Sequence, residues 1–190
     1  MEKLFNLLES AGPLSPELRQ YLQSIIKIRQ LAKNDFLLKA GHICMNICFV
    51  ESGLIRCYYN KGDKEVCSWF MKEGDLVISI ESFYQQKESY EFIQALENCT
   101  IACIGYSELN YIYLNFPEFN FVGRLMTEKY YQLWANQLYA LRMNQAPERY
   151  QWLLNNHADL VLRVKAKYLA SYLGITEVML SKIKGKNNFL

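Results

Sequence analysis

The sequence predicts an α+β fold. Its centre is an antiparallel β-roll of the double-stranded β-helix or jelly-roll kind, with flanking helices, a long helix and a small carboxy-terminal helical domain. Three observations predict it. Between Ile28 and Tyr106, short runs of β-branched, aromatic and Cys residues are divided by turn signals roughly every ten residues. Between Gly123 and Pro147 neither Pro nor Gly intervenes, and apolar residues recur at helical spacing. After Arg163, two short amphipathic stretches flank Gly174.

The first 25 residues read as two short helices. Leu4, Leu7 and Leu8 share one face, Ala11-Gly12-Pro13 interrupts, and Ser15 caps a helix with Pro16 at its first position. Turns follow at Asn34-Asp35, Lys39-Ala40-Gly41, Glu51-Ser52-Gly53, Asn60-Lys61-Gly62-Asp63 and Lys72-Glu73-Gly74-Asp75. Leu54–Tyr59 and Lys64–Phe70 around Asn60–Asp63 form a hairpin. In the long helix Phe119, Met126, Leu133 and Ala140 repeat every seven residues, flanked by Val122, Tyr130, Leu138 and Leu141. The helix is long for its domain, so the stripe Phe119, Val122, Met126, Leu133 and Ala140 is expected to meet a second copy of the chain, giving a homodimer. Lys129 and Asn136 interrupt a strict seam. The expected domains are 1–116 for the roll with its amino-terminal helices, 117–144 for the long helix and 145–190 for the helical remainder.

With 51% hydrophobic and 21% charged residues in 190, the chain has the composition of an ordinary globular protein. No apolar run approaches the roughly 20 residues of a membrane span, and the opening stretch carries acids without a signal-peptide core. A soluble cytoplasmic protein is expected. The cysteines at 44, 48, 57, 67, 99 and 103 form no CxxC pair and sit in apolar stretches, which predicts buried reduced thiols. His42 and His157 are single and far apart, and no nucleophile–His–acid constellation stands out. No metal site, cofactor or enzymatic activity is therefore expected, and an enzyme on a cupin-like roll is set aside.

The tail carries the strongest functional signal. From Arg163 to Leu190 six basic residues stand against the single acid Glu177, a net of +5, whereas the preceding 162 residues hold 15 bases and 18 acids, a net of −3. Within it Leu169, Ala170 and Leu173 form the apolar face of one short helix, Gly174 stops it, and Thr176 caps the next. Met179, Leu180 and Ile183 are expected inward, with Glu177, Val178, Ser181, Lys182 and Lys184 outward. This is a helix-turn-helix pattern with an outward face free to enter a DNA major groove, and the basic excess suits a polyanion.

Taken together, the motif Lys167–Thr176 continuing through Leu180-Ser181-Lys182-Ile183, the roll glycines and the segment after Gly74-Asp75 resemble the Crp/Fnr family of bacterial transcription regulators over nearly the whole chain. The resemblance implies a cyclic nucleotide-binding-like sensor roll, a dimerisation helix and a DNA-reading unit, with double-stranded DNA, a second copy and RNA polymerase as partners. Carried over, the base-reading positions are Glu177, Val178, Ser181 and Lys182. Thr176 caps that helix and donates to a phosphate, and Lys165, Lys167 and Lys184 bind phosphates.

One part of the family pattern is missing. Its phosphate cassette pairs a Glu for the ribose with an Arg for the cyclic phosphate. The corresponding positions here are Ile78-Ser79 and Ser89-Tyr90-Glu91, and Glu81, Glu88 and Glu91 crowd the stretch with only Lys87 to offset them. Cyclic AMP is not expected to bind, and Ser79, Ser89 and Tyr90 mark an effector pocket by position only. Trp69, Phe70, Phe83, Tyr84, Tyr90 and Phe92 either line an apolar pocket or pack the core. The expected function is a sequence-specific, DNA-binding transcription regulator with an effector other than cyclic AMP, or none. The alternative is a regulatory roll whose helical tail binds a protein.

Overall fold

The computed structural model describes residues 1–187. At its amino end the helices form where their caps stand. Helix α1 covers Glu2–Glu9 and α2 covers Pro16–Ile25, with the Ser15 hydroxyl accepting from the Leu18 amide at 3.2 Å. Leu4, Phe5, Leu8, Leu18 and Leu22 from these helices are buried against the roll.

The turn signals divide eight strands: β1 (Lys27–Leu31), β2 (Phe36–Leu38), β3 (Asn46–Ser52), β4 (Ile55–Lys61), β5 (Lys64–Met71), β6 (Leu76–Val77), β7 (Phe92–Ala95) and β8 (Cys99–Gly105). They pair antiparallel in two four-stranded sheets, ordered β1-β8-β3-β6 and β2-β7-β4-β5, as the predicted β-roll requires. The two sheets bury Phe49, Val50, Ile55, Ile93 and Ile101 between them. Gly53, at φ +97°, makes the tight corner from β3 into β4, where a Cβ would stand 2.6 Å from the Asn98 carbonyl oxygen. The predicted hairpin is β4–β5, with a bulge beside Cys57 and Tyr58. Helix α3 (Ile80–Gln85) lies between β6 and β7. After β8 comes α4 (Tyr106–Asn115), which the turn spacing did not indicate; its apolar residues alternate with Asn and Tyr without marking one face.

The long helix α5 runs from Pro117 to Met143 over 27 residues. Its heptad stripe is partly buried within the chain, with Phe119 and Val122 in the roll's core. Phe119, Val122 and Ala140 are 5%, 1% and 1% exposed, and Met126 and Leu133 are half-buried on the same side. A seven-residue repeat reports a packed face without naming the surface that packs on it. Tyr131 and Trp134, displaced around the helix, are 67% and 54% exposed.

Three helices follow: α6 (Ala146–Arg163), α7 (Ala166–Tyr172) and α8 (Glu177–Asn187). They share a second core with the roll, in which Leu54, Tyr58, Cys67 and Phe70 of the sheet meet Leu153, Leu160, Leu169, Leu173 and Leu180. Helix α6 breaks at His157, whose φ of −147° is not helical. The limit expected at residue 190 and the Lys186 side chain lie outside what is described.

All six cysteines are buried, but they are not all reduced. Cys48 of β3 and Cys103 of β8 form a disulfide across 55 residues of sequence, while Cys44, Cys57, Cys67 and Cys99 are free thiols. The pairing comes from strand register, which sets Cys48 directly opposite Cys103. Spacing along the chain carries no trace of it.

Candidate nucleic-acid interface and ligand cavity

Helix α7 ends because Gly174 takes φ +65°, and the Ile175 amide closes back on the Ala170 carbonyl at 3.0 Å. Thr176 then caps α8, its hydroxyl accepting from the Met179 amide at 3.2 Å. Arg149 of α6 fixes the turn from behind, donating to the carbonyls of Asn144 (2.9 Å) and Leu173 (3.1 Å). Leu169, Ala170, Leu173, Leu180 and Ile183 are buried between the helices. Glu177, Val178, Ser181 and Lys182 are exposed, as are Lys165 and Lys167. The first turns of α8 thus present a row of short and medium side chains spaced one and four residues apart, the width of one helix face.

Two expectations differ here. Met179, expected inward, is 47% exposed, because α8 has room to bury only the row holding Leu180 and Ile183. Lys184, expected outward on phosphate, is half-buried, with its ammonium 6.0 Å from the Tyr150 ring centre. Arg163, counted in the basic tail, is already engaged: its guanidinium donates to both oxygens of Glu73 and both of Glu97, at 2.7–3.0 Å. The Arg163 guanidinium holds the Glu73 carboxyl at about 2, far below its usual value, and the two carboxylates in turn raise Arg163. Lys72 and Asp159 pair nearby at 2.7 Å.

Helix α7 is docked on the β4–β5 hairpin. The Ser171 hydroxyl donates to the Glu65 carbonyl at 2.9 Å and accepts from the Cys67 amide at 3.0 Å. Arg56 of β4, 2% exposed, lies between the rings of Tyr58 and Tyr168, 4.0 and 3.9 Å from their centres. It donates to Glu65 at 2.7 Å and to the Gln94 side chain at 2.7 and 3.0 Å. Nothing in the sequence marks Arg56, since a charged residue in a strand normally reads as solvent-facing.

The effector-pocket positions converge, though not as a binding surface. Ser79 and Ser89 are 3% and 5% exposed, with their hydroxyls 3.0 Å apart. Ser79 donates to Glu91 Oε2 at 2.7 Å, and Ser89 accepts from the Glu91 amide at 2.9 Å. Ser79 therefore holds a carboxylate, and Ser89 its backbone, where the resemblance would place a bound phosphate. Burial pushes the Glu91 carboxyl up, the Ser79 hydroxyl lowers it, and Glu81 raises it further. Tyr90 is 62% exposed beside it.

Glu91 borders a cavity of about 760 Å³ between the roll, α1, α3 and α5, within the size range of small-molecule sites. Of the aromatic cluster, Trp69, Tyr84 and Tyr90 line this cavity, Phe83 is core, and Phe70 and Phe92 pack in the second core. Among the described residues no three His, Cys, Asp or Glu side chains converge to hold a metal ion, and no helix is long and apolar enough to cross a membrane.

A search of the curated proteins finds no match. Solved structures of similar fold include a CooA mutant from Carboxydothermus hydrogenoformans, at TM-score 0.71 and 22% identity, covering 95% of this chain and 83% of that one. The c-di-GMP-responsive global regulator CLP of Xanthomonas campestris aligns at TM-score 0.72 and 14% identity, with 90% of each chain covered. FixK2 of Bradyrhizobium japonicum aligns at TM-score 0.73 and 16% identity, covering 87% and 85%. At these identities the likeness is one of fold. Within that shared fold, residues 28–115, from β1 to the end of α4, match the cyclic nucleotide-binding domain family.

Proposed function

We propose that the chain is a homodimeric, sequence-specific DNA-binding transcription regulator of the Crp/Fnr type that does not use cyclic AMP. The observation that carries this reading is the exposed row Glu177, Val178, Ser181 and Lys182 over a buried Leu180 and Ile183. Such a helix enters a major groove with its amino-terminal residues at the base edges. Lys182 would donate to a guanine as a point charge, Val178 would touch a thymine methyl and Glu177 would accept from a cytosine amine. Lys165 and Lys167 would sit on phosphates, with Thr176. The fold shared with CooA, CLP and FixK2 supports a regulator over an enzyme.

A dimer through α5 can also use the more exposed side of that helix. There Thr127, Tyr131, Trp134, Leu138 and Leu141 follow one another at alternating steps of four and three, the spacing of a two-helix seam. Tyr131 and Trp134 are the exposed centre of that row.

The test is selection of bound sites from a randomised duplex library with purified protein at near-physiological salt. A two-fold symmetric site with half-sites about 10 base pairs apart is expected. Lys182→Ala should weaken specific binding by about 1–3 kcal/mol and relax one position. Lys167→Ala should weaken binding to every sequence alike and lower the salt slope by about one. Enrichment of nothing, with tail-dependent capture of a protein insensitive to salt and to Lys182→Ala, would replace this reading by that of a protein-interaction module.

A further inference from the structure

The cavity between the roll and α5 has a composition that selects its occupant. Its walls are apolar, built from residues such as Phe49, Met71, Ile104, Phe119 and Met126, with Trp69 and Trp134 at two sides. Among the lining residues there are two carboxylates, Glu81 and Glu91, and no Lys, Arg or His. Glu81 is offset from outside by Lys87 at 2.6 Å. Glu91 is not: its Oε2 accepts from Ser79, and its Oε1 accepts from no described side chain. A second polar group in the wall lacks a partner as well. The Ser68 hydroxyl is buried and makes no hydrogen bond among the described residues. A buried hydroxyl left without a partner in an apolar wall is costly unless a ligand completes it, and the second oxygen of Glu91 is open to the same ligand.

We infer that this cavity binds a hydrophobic amine, an apolar body between roll and helix with its cationic nitrogen held by Glu91. Attraction to the unpaired carboxylate favours a cation and repels the phosphate of a nucleotide, which would meet two carboxylates and no basic group. Tyr84, Tyr90, Tyr131 and Trp134, exposed aromatic residues of the lining, suit a cation as well. The serine pair fits the same role. Ser79 and Ser89 hold Glu91 in place and leave Oε1 for the ligand. As an effector site the cavity rests on the reading of the chain as a regulator, since Tyr131 and Trp134 also form the proposed dimer seam and couple an occupant to α5.

Three isosteric probes test it on the full chain without DNA, so that ligand binding and DNA binding can fail separately. They are 4-phenylbutylamine, 4-phenylbutan-1-ol and 4-phenylbutyrate, titrated by calorimetry and by the fluorescence of Trp69 and Trp134, with cyclic AMP and cyclic di-GMP alongside. The amine is expected to bind at least tenfold more tightly than the alcohol, and the acid and both nucleotides more weakly than the alcohol. Glu91→Gln should bring the amine to the affinity of the alcohol while leaving the alcohol unchanged, which also shows that the cavity has kept its shape. The inference is overturned if the acid or a nucleotide binds as tightly as the amine, if Glu91→Gln keeps the amine preference, or if no probe binds. Should the variant fail to fold, the ranking of the three probes on the unmodified chain decides alone.

Discussion

Replacing Glu73 by Gln tests whether the ionic clamp holds the helical segment on the roll. Glu73 sits in the corner between β5 and β6, accepts from the Gly53 amide at 2.7 Å, and receives the Arg163 guanidinium on both oxygens. Its carboxyl is held at about 2 against an ordinary 4.5. A displacement of that size corresponds to at most about 3.4 kcal/mol of preference for the ionised form in the folded chain. Glu73 is 35% exposed and Arg163 26%, so solvent screening reduces this to about 1 kcal/mol. The folded-state value lies below the unfolded one. The contribution is therefore complete above about pH 4.5 and disappears as pH falls toward about 2. Glu73→Gln keeps the shape and removes the charge. Urea unfolding followed by tryptophan fluorescence should show the variant about 1 kcal/mol less stable at pH 7, with less than half of that difference left at pH 3. A difference below about 0.3 kcal/mol at pH 7, or one equally large at pH 3, would refute the reasoning.

Two further substitutions probe the architecture. Gly53→Ala forces a Cβ to 2.6 Å from the Asn98 carbonyl at φ +97°, and should cost at least about 2 kcal/mol, lowering Tm by roughly 5 °C or more in thermal unfolding. An unchanged Tm would mean that the corner relaxes freely. Arg56→Met keeps a long side chain between Tyr58 and Tyr168 but removes the bonds to Glu65 and Gln94. Because Glu65 is 41% exposed and rehydrates, the expected cost is about 2 kcal/mol in denaturant unfolding, and a cost under about 0.5 kcal/mol would show that the stack alone holds α7.

The legible part of the fold is local in origin. Glycines and Asn-Asp pairs mark the strand ends because those backbone conformations are open to few residues, and Ser15, Gly174 and Thr176 cap or stop helices by bonds to neighbours a few residues away. The outward row on α8 is legible for the same reason, since 3.6-residue periodicity sorts side chains without knowledge of the partner. What failed needed the partner. Phe119 and Val122 of the α5 stripe pack in the chain's own core, which their period does not reveal, and Met179 belongs to an apolar residue type but lacks a surface to pack against.

The candidate site divides along the same line. That no arginine stands in Ser89-Tyr90-Glu91 is visible in the sequence. That Glu91 is held by Ser79 and Ser89 and borders a cavity whose wall contains Ser68 is not, because these residues come from β5, from the turns around α3, and from the approach to β7.

By itself, then, the sequence determined the alternation of strands and helices, the two short helices on either side of Gly174 with basic residues around them, and the want of a basic residue in Ser89-Tyr90-Glu91, because each rests on residue type at short spacing. Tertiary structure alone decided which face of α5 is covered, that Cys48 meets Cys103, that Arg56 and Arg163 fasten the helical segment to the roll, and that a carboxylate stands at the cavity wall. Those depend on strand register and on packing between segments distant in the chain, where one residue's displacement exchanges a buried side chain for an exposed one.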